Sequence, residues 1–300
     1  MRIAALLGAC FTVLISSAVQ AQDLTAVKIG PRVDVTVDGA FFTSYHTRTD
    51  EKYPFFFPVN APGSGASVTS LRNGEYPHHS SLFFGCDRVN GGNYWQEGLE
   101  KGQILSRGPV LESAAGKEIV ITDTCDWKRP DAEQPIRDAR RMVISALSKQ
   151  VRQIDFDVTL TALVDVTILQ TNHSLFSVRL DPDLAVRHGG SMVNALGAAG
   201  EKATFGQASP WMTAYGRRGS GAPEGLAVFQ HPANPWYPAP WFTRDYGFLS
   251  PTPMYWPRDG VATRIAKGET FRLRYRVLVF SGDPKEVDLA GRFAAYAAVK

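Results

Sequence analysis

IDFDVTLTALVDVTIL, residues 154–169, decides the fold. Ile154, Phe156, Val158 and Leu160 fall on every second position, and Val164, Val166 and Ile168 resume the pattern further on. A period of two sends alternate side chains to opposite faces, so the stretch reads as a half-buried antiparallel strand that bends or breaks near Ala162. The same alternation runs through Val33-Asp34-Val35-Thr36-Val37, after which Asp38-Gly39 supplies the residues of a tight hairpin turn. Further extended runs occupy 118–122, 141–147, 174–180, 226–229 and 271–280, the last with Phe271, Leu273, Tyr275, Val277 and Val279 on one face. Almost no helical periodicity separates them. The expectation is an all-β chain forming one large antiparallel β-sandwich.

One helix is expected, at the C-terminus. Asp283 can cap it, Pro284 suits its first position, and Glu286 stands where a capping box places an acid. Val287, Ala290, Phe293, Ala294 and Ala297 then form an apolar stripe, which reads as a lid on a sheet edge or sandwich end.

Residues 1–21 read as a signal peptide, with Arg2 as the positive region, an apolar run over 3–15, and Val19-Gln20-Ala21 before the cut. The mature protein is then periplasmic or secreted. Leu7-Gly8-Ala9-Cys10 resembles a lipobox, but Cys10 sits in the middle of the apolar run. No later run approaches the roughly 20 apolar residues of a membrane-spanning helix. No linker or low-complexity tract divides 22–300, which is read as a single domain. The 32 Lys and Arg against 29 Asp and Glu are scattered, so no clustered basic face points to nucleic acid. Cys86 and Cys125 could pair after export or remain two buried thiols.

Two stretches carry chemistry. GEYPHHSSLFFGCDRVNGGNYWQEG, residues 74–98, surrounds a short apolar run with adjacent histidines, acids, amides and aromatic rings. Imidazole titrates nearest neutrality and a nearby carboxylate can orient or charge it, so His78, His79 and Glu97 are candidate proton-transfer groups. Adjacent residues on a strand face opposite ways, so both histidines enter one site only if the backbone turns at Tyr76-Pro77. Trp95, a candidate substrate contact, shares a face with Glu97 if this piece is extended. Asp87, Asn90 and Asn93 are ordinary turn residues, with Asn90 kept as a candidate ligand contact. His173 and His188 read as structural or exposed.

The second stretch, FQHPANPWYPAPWFTRDYGFLSPTPMYW, residues 229–256, is a proline-stiffened loop by its composition. It offers His231 and Asp245 as further acid–base candidates, with Trp241, Arg244 and Tyr246 as saccharide contacts: flat rings for sugar C–H faces, polar groups for hydroxyls.

Pro77-His78-His79, Phe84-Gly85, Val89-Asn90-Gly91 and Tyr94-Trp95 are followed by His231-Pro232, Asn234-Pro235, Pro240-Trp241, Arg244-Asp245-Tyr246-Gly247 and Gly282-Asp283-Pro284. In this order they resemble the PmoA-like family over most of the mature chain. The resemblance implies a β-rich soluble domain near the galactose-mutarotase-like sandwiches, associated with carbohydrate use. Ser80 and Phe242 stand where that pattern has Arg and His. The family borrows its name from a membrane oxygenase subunit, which a chain without a further span cannot be.

Three functions remain open on these residues. The first is an exported enzyme that acts on a saccharide by His and carboxylate acid–base chemistry. The second is a glycan-binding protein with no chemistry. The third is a metal-dependent enzyme holding its ion with His78, His79, His231 and a carboxylate, although no HxH, HExxH or CxxC spacing supports it. No cofactor is indicated.

Overall fold

A computed structural model describes residues 22–96, 98–256 and 260–299. Residues 1–21, read above as a signal peptide, and Glu97 lie outside the described residues.

Strands dominate, and neighbours in both large sheets run antiparallel. The first sheet runs, in spatial order, from Trp241–Arg244 through Phe248–Pro251, Ser174–Arg179, Leu82–Cys86, Phe55–Val59, Ala40–His46 and Arg32–Val37 to Leu24–Ile29 and Ala115–Gly116. The second runs from Ser191–Asn194 through Trp211–Arg217, Pro223–Gln230, Thr270–Ser281, Val151–Ala162, Ile136–Ser148 and Glu118–Lys128 to Gln103–Ser106, and Val110–Ser113 also pairs with Glu118–Lys128. The all-β sandwich with a C-terminal helix is therefore the observed fold.

The alternating stretches behave as their period requires. The strand read from residue 154 starts at Val151, ends at Ala162, and gives way to a separate short strand, Val166–Ile168. Val33, Val35 and Val37 are all buried, and Asp38 and Gly39 both take positive φ, 48° and 79°, as a two-residue hairpin with matching twist demands.

Inward side chains from the two sheets meet in an aromatic column. Phe84 and Phe176 come from the first sheet; Trp127, Phe156 and Tyr275 come from the second. Ring centroids lie 5.8 Å apart for Phe84 and Phe156, 5.3 Å for Phe156 and Phe176, and 4.7 Å for the stacked Phe176 and Tyr275. Each such ring contributes about 1.5–3 kcal/mol by leaving water. The core also holds a charge pair. Arg140 donates to Asp138 through Nε at 2.7 Å and Nη2 at 3.1 Å, Trp127 Nε1 donates to the same carboxylate at 2.7 Å, and both charged side chains are fully buried. Cys86 and Cys125 are free thiols, both held protonated by burial.

The terminal helix differs from its sequence reading. It spans Leu289–Ala297, with Asp288 rather than Asp283 as its cap, accepting from Gly291 N at 3.1 Å. Asp283 instead closes a turn, its Oδ1 accepting from Lys285 N at 2.9 Å. Asp288 sits at φ 53°, which breaks the backbone between that turn and the helix. The helix covers a face, not an edge: Leu289 and Tyr296 pack with Ala227, Phe229, Leu278 and Phe280 on the outer side of the second sheet.

Candidate functional site

The strands Leu82–Cys86 and Ser174–Arg179 are buried at every position, so both of their faces are covered. Phe84 and Phe176 face the core, so the period of two turns Phe83, Leu175, Ser177 and Arg179 to the outer face. Two loops lie over that face. Gly85 permits one of them: a Cβ there would stand 2.5 Å from the Tyr94 carbonyl oxygen, and Tyr94 N donates to Cys86 O at 2.9 Å. The result is an aromatic floor. Tyr53 stacks on Phe83 at 4.7 Å, Phe83 meets Trp95 edge-on at 4.9 Å, and Phe248 lies 4.5 Å from the His79 ring.

The backbone does turn at the paired histidines. His79 N donates to Tyr76 O at 3.1 Å, and the His78 carbonyl accepts from Tyr53 Oη at 2.8 Å. This turn, in place of a strand, lets the two imidazoles meet edge to face at 4.4 Å. His79 is 3% exposed and stacks between Tyr76 and Phe248. Its pKa is lowered to about 2, first by burial and then by the charges of His78, Arg179 and His173. The pKa of half-buried His78 is also lowered, by burial and then by His173.

A third imidazole belongs to the cluster, and the sequence reading missed it. His173 Nδ1 lies 3.1 Å from Asp87 Oδ2, and its ring is 5.5 Å from Trp95. The placement follows from strand pairing: Ser174 stands opposite Cys86, so the next residues outward, His173 and Asp87, are also neighbours. An ionised carboxylate only accepts, so Nδ1 carries the proton and Nε2 is the basic nitrogen. Gln96 Nε2, at 3.4 Å from the same Nδ1, adds no second hydrogen bond in that tautomer.

Beside this cluster opens a cavity of about 760 Å³, walled by His46, Phe55, Arg72, His78, Trp95 and Gln96 among others. Its rim carries the ion pairs Arg48–Asp50 and Arg72–Glu51. Several buried polar atoms around the cluster have no hydrogen-bond partner among the described residues: His79 Nδ1, Trp95 Nε1, Asp87 Oδ1, and Arg179 Nε and Nη1. Such atoms are costly unless something satisfies them. No three His, Cys, Asp or Glu side chains among the described residues converge as metal ligands.

Residues 32–294 match a family of unknown function, DUF6807. The chain belongs to that family. This finding corrects the PmoA-like resemblance drawn from the Pro77-His78-His79 and Arg244-Asp245-Tyr246-Gly247 motifs, and DUF6807 membership assigns no activity. Comparison with curated proteins gave no match. Among solved structures, an α-galactosidase from Lactobacillus brevis aligns at 10% identity over 86% of this chain and 39% of its own, with a TM-score of 0.33. A polysaccharide lyase aligns at 13% identity over 93% of this chain and 35% of its own, with a TM-score of 0.33. A galactose mutarotase related enzyme from Lactobacillus acidophilus aligns at 10% identity over 87% and 98%, with a TM-score of 0.29. The DUF6807 chain thus spans well under half of the first two.

In the DUF6807 chain, the second stretch reaches the cluster through Phe248, already placed against His79, and through one of its candidate saccharide contacts, Tyr246, which stacks on Tyr76 at 4.3 Å. The others do different work. His231 lies under the terminal helix, edge-on to Tyr296 at 5.1 Å, and both ring nitrogens bond backbone: Nε2 with Val299 O at 2.9 Å, and Nδ1 with Ala233 N at 3.0 Å. Trp241 is fully buried and donates to Ser209 O at 2.8 Å, so it offers no open sugar platform. Asp245 and Arg244 both hold Glu201, through Glu201 N to Asp245 Oδ1 at 2.8 Å and Arg244 Nη1 to Glu201 Oε1 at 3.0 Å. Asn90 ties its turn to the strand Val166–Ile168 and the residue before it, donating to Asp165 O at 3.0 Å and accepting from Thr167 N at 2.7 Å. The metal set built on His231 is accordingly not assembled.

Proposed function

We propose that this chain is an exported protein that binds a saccharide in the 760 Å³ cavity and acts on it by proton transfer. The observation that carries the reading is that His78 and Trp95 line the cavity while the His173–Asp87 pair stands next to them, the His173 ring 5.5 Å from that of Trp95. His173 has the arrangement of a positioned base, with a carboxylate fixing one ring nitrogen and the other left basic. His78, held neutral near pH 7 by burial, is the second proton-transfer group. Aromatic walls such as Phe55 and Trp95 suit sugar C–H faces, while the charged rim suits hydroxyls.

The test is a saccharide screen read by NMR, first for binding and then for change in the bound sugar. Products, or anomeric equilibration faster than in buffer, support the enzyme reading. Ligands that bind and are recovered unchanged reduce the site to glycan binding.

A further inference from the structure

Arg179 ends its strand on the outer face and is 3% exposed. Its guanidinium lies over two rings, 4.6 Å from the centroid of Tyr246 and 5.2 Å from that of Tyr76. Neither Nε nor Nη1 has a hydrogen-bond partner among the described residues. The other two buried arginines among the described residues each leave one nitrogen unpartnered but are anchored through the rest of the group, Arg140 on the Asp138 carboxylate and Arg152 on the Asn60 carbonyl at 3.0 Å. Glu75 is the acid whose charge acts on Arg179, yet its carboxylate is largely exposed and stands 3.9 Å from Arg187.

A buried guanidinium costs free energy unless an acceptor meets it, and its fork matches the two oxygens of a carboxylate. A second unpartnered donor stands close by. His79 stacks on the same Tyr76 ring at 5.0 Å, and its Nδ1 is also without a partner among the described residues. Neutral imidazole in the Nδ1–H tautomer can donate to the same anion. We propose that Arg179 and His79 form a carboxylate subsite, and that the saccharide taken here is a uronate or a chain containing one. The inference rests on the saccharide reading above. The partly exposed Tyr76 ring covers the guanidinium, so a carboxylate enters as that ring turns aside.

Calorimetric titration of the whole mature protein with galacturonate and glucuronate, against galactose and glucose, tests this. A parallel arm follows the Arg179 Nε–H resonance during titration with acetate. Acidic sugars are expected to bind at least tenfold more tightly than their neutral counterparts, and Arg179→Gln should bring that ratio close to one. If Arg179→Gln fails to fold, Arg179→Lys, which keeps the charge and loses the fork, should lower the ratio severalfold. Equal affinity for acidic and neutral sugars overturns the carboxylate subsite and leaves the saccharide reading standing. An acetate response without binding of any sugar supports the subsite and overturns the saccharide reading. No response to acetate or to either kind of sugar overturns both.

Discussion

His173 Nδ1 and Asp87 Oδ2 stand 3.1 Å apart although 86 residues separate them in the chain. The contact fixes which ring nitrogen carries the proton, so its loss should be read in chemistry before stability. Asp87→Asn should lower turnover on whichever saccharide the screen identifies by about a hundredfold, as expected for a misplaced acid–base group. Imidazole ¹⁵N shifts should show the Nδ1–H tautomer in wild type and a mixture in the variant. A variant with unchanged turnover and tautomer would falsify the positioning role.

His79 makes stability depend on pH. Its folded pKa of about 2 lies below the ordinary 6.5, so the unfolded chain takes up the proton first. Its contribution is therefore fully present above about pH 6.5 and is lost as pH falls toward 2, at about 1.4 kcal/mol per pH unit. Urea unfolding of wild type and His79→Phe from pH 7 to 4.5 should give curves that diverge by that slope. Parallel curves would mean that His79 titrates normally.

Trp241 should behave as a core residue. Trp241→Ala is expected to cost about 3–5 kcal/mol, through the cavity it leaves and the loss of its bond to Ser209. The denaturant midpoint measures this. A stable variant with weakened saccharide binding would restore the platform role that its sequence suggests.

The Asp138–Arg140 pair gives a sharper test of the core. Asp138→Leu alone strands a buried guanidinium and should cost about 3–5 kcal/mol, whereas adding Arg140→Met should recover part of that loss. Chemical denaturation of wild type, the single variant and the double variant measures both changes. A double variant less stable than the single one would show that Arg140 is satisfied without its carboxylate.

The fold was legible because alternation is local: 154–160 and 271–279 declare their buried faces within a few residues. The candidate site was legible only in part. His78, His79 and Trp95 stand in one short stretch and meet there. Asp87 reads as a turn residue and His173 as an ordinary strand neighbour, and only the pairing of Ser174 with Cys86 brings them together. No local pattern reports a pairing over that separation. Arg179 is hidden for a related reason, since it ends an apolar run whose two faces are both covered. The 229–256 stretch misleads in the opposite direction. Its rings and charges resemble a saccharide site in kind, but composition does not say which way a side chain points, and Trp241 and His231 point into packed protein.

The strand that turns Arg179 outward turns Phe176 inward, onto Tyr275 at 4.7 Å and Phe156 at 5.3 Å. The outer face proposed above to meet the ligand therefore has a rear adjustment. A volume change at Tyr275 or Phe156, on the opposite sheet, shifts the seat of Phe176 and with it the height of the strand beneath Arg179. Ligand preference in this fold can then drift through substitutions that never meet the ligand, and variants selected for altered specificity should include residues of the far sheet.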